Sequence, residues 1–168
     1  MKGRSPSRFS PHPSLSPFSP MESAFIELLT AQRNFAGAAH LSHLNVDGPQ
    51  FYSFHLLFER VYEIVEEKID GTAELARGYG VEIPAKIYHS VPELEWSTPE
   101  ELTEELYDVA EDLCDSMKSL HKKADDAEEY AVLSFVEDLM VDMAKVKYLL
   151  GSVNKQHAVA EDEKGEEE

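Results

Sequence analysis

The sequence predicts an all-α protein, a four-helix bundle with one long crossover. Apolar residues recur at three- and four-residue spacing in four separate segments, which is the helical period. No segment alternates with the two-residue period of a half-buried strand. The breaks after the first and third segments are short, whereas residues 78–98 separate the second from the third, an unusually long connection for a compact domain. At 168 residues with 42% hydrophobic content, the chain suits one domain with a sizeable core.

Residues 1–20 carry Lys2, Arg4 and Arg8, no acid, and serine or proline at most other places. That composition cannot build a core and is expected to be a disordered tail. A nucleic-acid-touching arm, a targeting segment and an extension ahead of a start at Met21 are its competing readings. The last is favoured, because helical periodicity begins immediately afterwards.

The four-helix domain is assigned to residues 21–155. From Glu22 to about Val46, Phe25, Leu28, Leu29, Phe35, Ala36 and Ala39 form a helical stripe. The run Asn45-Val46-Asp47-Gly48-Pro49 stops it. A second helix, with Pro49 or Gln50 in its first turn, carries Phe51, Phe54, Phe58, Val61, Val65 and Ile69 and ends near Arg77. The crossover holds Gly78, Gly80, Pro84 and Pro92, with a short helix around Ala85–His89. It suggests that helices two and three are parallel neighbours. Thr98-Pro99-Glu100-Glu101 supplies an N-cap, a first-turn proline and first-turn acids. Leu102, Leu106, Ala110, Leu113, Met117 and Leu120 then carry helix three to about Lys123. A turn at Asp125-Asp126 leads into helix four, with Val132, Phe135, Leu139, Met143, Val146 and Leu150, and Gly151 as its stop. Residues 156–168 read as a disordered acidic tail.

The formal net charge is −18. A solvated surface and a field that concentrates cations explain it about equally well. The same charge argues against nucleic-acid binding by the folded body, since such binding neutralises phosphates. Cys114 is the only cysteine, so no intrachain disulfide forms and a reducing, cytoplasmic setting is expected. No apolar run approaches the ~20 residues that span a bilayer, so no membrane partner is expected.

The chemistry concentrates between His43 and Glu74. Its ligand-type residues are His43, His55, Glu59, Asp70 and Glu74, a set of imidazoles and carboxylates suited to a first-row transition metal such as iron. With His55 at 0° on an ideal helix, Glu59 falls at roughly 40°, Asp70 at roughly 60° and Glu74 at roughly 100°. They share a stripe beside the core. Yet His55 and Glu74 are about 28 Å apart along the axis, too far for one ion. Two copies of helix two packed antiparallel about a dyad remove the difficulty. His55 and Glu59 of one chain then meet Asp70 and Glu74 of the other, twice over. His43 reaches the same place from the end of helix one. His40, one turn earlier, reads as support or packing. A di-iron site in the bundle core needs Glu-x-x-His pairs, and no histidine here has a glutamate three residues before it. Individually, such acid pairs are usually solvated helix faces; the joint spacing is what singles them out.

The run His43, Asn45-Val46-Asp47-Gly48, Phe51, His55-x-x-x-Glu59 and Asp70-x-x-x-Glu74 resembles the signature of the DNA-protection-during-starvation (Dps) miniferritins, a ferritin-like family. The resemblance is strong over about thirty residues, and the helix lengths agree from Met21 to Lys155. It implies a ferritin-like bundle assembled as a homododecamer, with a ferroxidase centre for two irons at each two-fold interface. It further implies Fe(II) oxidation by hydrogen peroxide or dioxygen, with ferric mineral stored inside and protection against oxidative damage. His43, His55 and Glu59 would be ligands from one subunit, and Asp70 and Glu74 from its partner. The acids Asp125, Asp126, Glu128 and Glu129 resemble the family's carboxylate-lined iron inlet pore, a reading about even with a solvated turn.

Two residues depart from the pattern. Leu44 stands where the family has tryptophan after the first histidine, leaving Tyr52 and Tyr62 as candidate redox relays. Glu59 stands where aspartate is common. Two competing functions are a non-enzymatic shell or nucleoid-binding protein with a degraded site, and a zinc- or copper-sequestering cage. Any DNA contact would fall to Lys2, Arg4 and Arg8, and is expected to be weak.

Overall fold

The computed structural model describes residues 20–88 and 98–153. Four long helices form: α1 (Pro20–Asn45), α2 (Phe51–Gly78), α3 (Pro99–Asp126) and α4 (Tyr130–Val153), with the short 3₁₀ helix η1 (Ala85–Tyr88) in the crossover. The expected tails, with Lys2, Arg4 and Arg8, lie outside the described residues, as do His89 and Pro92. No described helix is long and apolar enough to cross a membrane.

Each helix follows from its sequence. The stripe predicted for α1 is buried throughout, and so is that of α3. Burying one such Leu or Phe side chain contributes about 1.5–3 kcal/mol. The capping box of α3 forms as expected: the Glu101 amide donates to Thr98 Oγ1 at 3.3 Å, and the Thr98 amide donates to the Glu101 carboxylate at 2.9 Å. Gly48 turns the α1–α2 connection at φ 88°, a left-handed conformation that glycine adopts without penalty.

Helix α1 packs against α2 and α3, and α4 packs against the same two. Helices α2 and α3 run parallel, since the turn before α2 and the first turn of α3 line one cleft. They lie across the bundle diagonal rather than side by side, which corrects the expectation of neighbours. In the described part of the crossover, η1 packs against α1 with Ile87 buried.

Several details differ from the sequence reading. Phe51 is 43% exposed instead of buried, and Phe135 is only partly buried. Helix α2 begins at Phe51, with Gln50 as its N-cap and Pro49 in the preceding turn. Helix α3 runs on through Asp125 and Asp126 because Ala124 extends its buried stripe. The turn is Ala127–Glu129, with Glu128 at φ 56°. Gly151 does not stop α4, which continues to Val153. A Cβ there would meet the Tyr107 ring at 3.6 Å, so the small residue sits beside an aromatic on α3.

Candidate metal centre

The five-residue turn Val46–Gln50 brings the last turn of α1 against the first turn of α2. The Val46 amide ends α1 by donating to the Ser42 carbonyl at 2.9 Å, and the Phe51 amide donates to the Gly48 carbonyl at 3.1 Å where α2 begins. His43 and His55 then stack face to face, with ring centroids 3.8 Å apart and planes at 21°. Their hydrogen bonds are reciprocal. His43 Nδ1 lies 3.0 Å from the His55 carbonyl, and His55 Nδ1 lies 2.9 Å from the His43 carbonyl. A carbonyl only accepts, so each Nδ1 carries a proton, and in the neutral form of the ring the lone pair falls on Nε2. The His43 carbonyl is one of the last four of α1, which the helix leaves without an internal partner. Such a bond fixes the tautomer and orientation of a metal-ligating imidazole.

Around this pair the rings continue. Phe51 stacks on His55 at 4.8 Å, which accounts for its exposure on the core-averted side. Tyr62 stands edge-on to His43 at 5.5 Å and lies 4.9 Å from the His40 ring. His40 is itself exposed and 6.0 Å from His43, so it supports the ring cluster. Burial, followed by the carboxylates Glu59, Glu63 and Glu66, pushes the Tyr62 phenol above its ordinary value. Tyr52, in contrast, is 72% exposed, with no ring partner among the described residues. Leu44 is exposed beside His43.

Glu59 is half-buried one turn after His55, on the same stripe. Asp70 and Glu74 are exposed further along α2, about 22 and 28 Å from His55 by helical rise. Among the described residues, no three His, Cys, Asp or Glu side chains of one chain converge on a metal-sized site. The candidate ligands fall into two groups along the chain, the imidazoles with Glu59 and the two exposed carboxylates Asp70 and Glu74. The residue types suit a divalent first-row ion: two imidazoles whose Nε2 atoms make no bond within the chain's described residues, plus carboxylates.

The acids at the α3–α4 end are not equivalent. Asp126 pairs with Lys122 at 3.0 Å, and the Tyr79 hydroxyl donates to Glu129 at 2.8 Å. That bond raises the Tyr79 phenol pKa. Asp125 and Glu128 are exposed. Cys114 is half-buried, and burial pushes its thiol up.

The reciprocal histidine bonds and the Phe51 stack escaped the sequence reading. A histidine in the last turn of one helix and an aromatic opening the next, across a short turn, is the signal that carried them.

The family model for the ferritin-like domain matches residues 23–156. No curated protein matches the sequence significantly. Among solved structures, Dps from Staphylococcus aureus superposes with a TM-score of 0.72 at 16% identity, covering 79% of this chain and 93% of that one. Dps from Bacillus brevis gives 0.68 at 22% identity, over 81% and 98%. Dps from Listeria innocua gives 0.71 at 16% identity, over 79% and 93%. At these identities the likeness is one of fold.

Proposed function

The chain belongs to the ferritin-like family and has the fold of its Dps members, and from that premise we propose that it is a ferroxidase and iron store whose catalytic sites are shared between subunits. The observation that carries this reading is the His43–His55 pair. Two imidazoles are oriented by Nδ1 bonds that, in the neutral form, leave both Nε2 lone pairs free, one turn from Glu59. The half-set of Asp70 and Glu74 then comes from a second chain packed antiparallel about a dyad.

Iron is the substrate. His43, His55 and Glu59 of one subunit, with the partner subunit's Asp70 and Glu74, would hold two Fe(II) ions. The two ions give up one electron each to a single hydrogen peroxide; with two protons this yields two Fe(III) and two waters. Pairing the electrons avoids releasing a radical, and the carboxylates stabilise the ferric product. Where the family has tryptophan, this chain has Leu44, and the edge-on contact of the Tyr62 ring with His43 supports Tyr62, over the exposed Tyr52, as the electron relay. Dioxygen is the alternative oxidant. The product is a ferric mineral inside a homododecameric shell, in the cytoplasm. Of the candidate inlet acids, Asp125 and Glu128 are the ones whose carboxylates are not held by Lys122 or Tyr79.

The test combines a sizing run with absorbance after adding Fe(II) and peroxide. The wild type is expected to elute as a shell and to oxidise iron within the mixing time. His43→Ala with His55→Ala is expected to assemble but to lose the fast phase. An unchanged initial rate in that double variant refutes the reading.

A further inference from the structure

A cleft of about 180 Å³ opens between α1, α2 and η1, beside the histidine pair but separate from it. Arg33, His40, Glu66 and Tyr88 supply its polar lining, with Ala36, Gly37 and Ile87 as its apolar lining. The Arg33 guanidinium lies over the Tyr88 ring, 4.6 Å from its centroid, a cation–π contact that fixes its plane. Its Nε is buried and bonds to no described atom of the protein. No described carboxylate of the same chain comes within ion-pair distance of it. A guanidinium held flat on an aromatic ring, with no ion-pair partner among the described carboxylates, is a receiver for a carboxylate from outside the chain.

The symmetry of the shared metal site says which one. The register that sets His55 against Glu74 and Glu59 against Asp70 also sets Glu66 against Glu63 across the dyad. Glu63 is exposed and makes no ion pair among the described residues. On the helical wheel it falls at roughly 80°, between Asp70 and Glu74, so it faces the second copy with them. Without a cation between them, Glu66 and the partner subunit's Glu63 are like charges forced together.

We infer that Arg33, braced on Tyr88, pairs with the partner subunit's Glu63 in this cleft, and that two such pairs related by the dyad hold the two halves of each metal site in register. The inference rests on the shared-site reading. It explains how Glu63 can face Glu66 in the middle of an antiparallel α2–α2 contact: each Glu63 reaches the Arg33 of the other chain, which lines the same cleft as that chain's Glu66.

Charge exchange tests it, because in a self-complementary contact one chain carries both partners. Arg33→Glu faces Glu63 with a like charge, and Glu63→Arg does the same to Arg33. Each single variant is expected to raise the subunit concentration needed for half-assembly by ~tenfold or more, typical of a close interfacial pair. The double variant Arg33→Glu with Glu63→Arg is expected to return to within about twofold of wild type. Helical circular dichroism at matched concentration confirms that the variants fold. A wild-type chain that is monomeric refutes the shared-site reading itself. An assembled wild type whose single variants assemble equally well, or whose double variant is worse than either, refutes only the Arg33–Glu63 pair.

Discussion

Among the described residues, Gln32 is a fully buried side chain whose polar atoms have no hydrogen-bond partner. It sits on α1 within the core stripe, between Leu28 and Ala36, and is 1% exposed. Neither its Nε2 nor its Oε1 has a hydrogen-bond partner. The other buried polar side chains among the described residues each return a hydroxyl to the carbonyl four residues back: Ser42 to Ala38, Thr72 to Lys68 and Thr103 to Pro99. Gln32 therefore bears a desolvation cost of about 1–3 kcal/mol that the others avoid. Methionine has nearly the same length and volume and no amide, so Gln32→Met removes the cost while filling the space. A gain of about 2 kcal/mol corresponds to a melting temperature roughly 4–8 °C higher for a chain of this size. Gln32→Glu should move the other way by about 3–5 kcal/mol, because it leaves an unpaired charge in the core. Differential scanning calorimetry at equal subunit concentration reads both, since assembly also shifts the transition. A Gln32→Met protein that melts below wild type refutes the reasoning: the amide would then have a partner worth more than its burial costs.

Three further outcomes follow from single contacts. Thr98→Ala removes the capping box of α3 and should cost about 1 kcal/mol in denaturant unfolding. Gly71→Ala should stabilise α2 by about 0.5–1 kcal/mol, because its added Cβ meets the Phe135 ring at 3.4 Å, an ordinary contact, and the helix gains propensity. A loss of stability there would mean that Phe135 cannot shift. Tyr62→Phe keeps the ring against His43 but removes the phenol. Electron paramagnetic resonance after iron and peroxide should lose a tyrosyl signal that Tyr52→Phe leaves intact; the reverse pattern would place the relay at Tyr52.

The fold was legible because the helical period is strong. Every apolar position assigned to α1 and α3 is buried, and Thr98 caps where its neighbours Pro99 and Glu101 said it would. The exceptions are local. Phe51 has the spacing of a core residue, but at the first turn of α2 it is better used stacking on His55. Gly151 has the composition of a stop, but glycine in the last turn of a packed helix costs only about 1 kcal/mol, and Leu150 is fully buried there. Helix adjacency was not legible, because loop length gives the direction of α3 but not which side of α1 it takes.

The candidate site rests on one stripe of α2, longer than any single ion can bridge, and helical rise alone makes it a matter for two chains. The orientation of the imidazoles was not legible in the sequence, since it depends on two carbonyls brought together by the Val46–Gln50 turn. Arg33 and Tyr88 were invisible for a related reason. Nothing in residue spacing joins α1 to a 3₁₀ turn fifty-five positions later.

The most direct measurement of the central claim mixes two inactive subunits. One type carries His43→Ala and His55→Ala; the other carries Asp70→Ala and Glu74→Ala. Each alone lacks half of every site. Refolded together in equal amounts, half of the two-fold pairs are mixed, and each mixed pair rebuilds one of its two sites from intact halves. The mixture should recover roughly a quarter of the wild-type rate of peroxide-driven iron oxidation. A mixture that co-assembles and stays as inactive as its parents would contradict a site shared between chains.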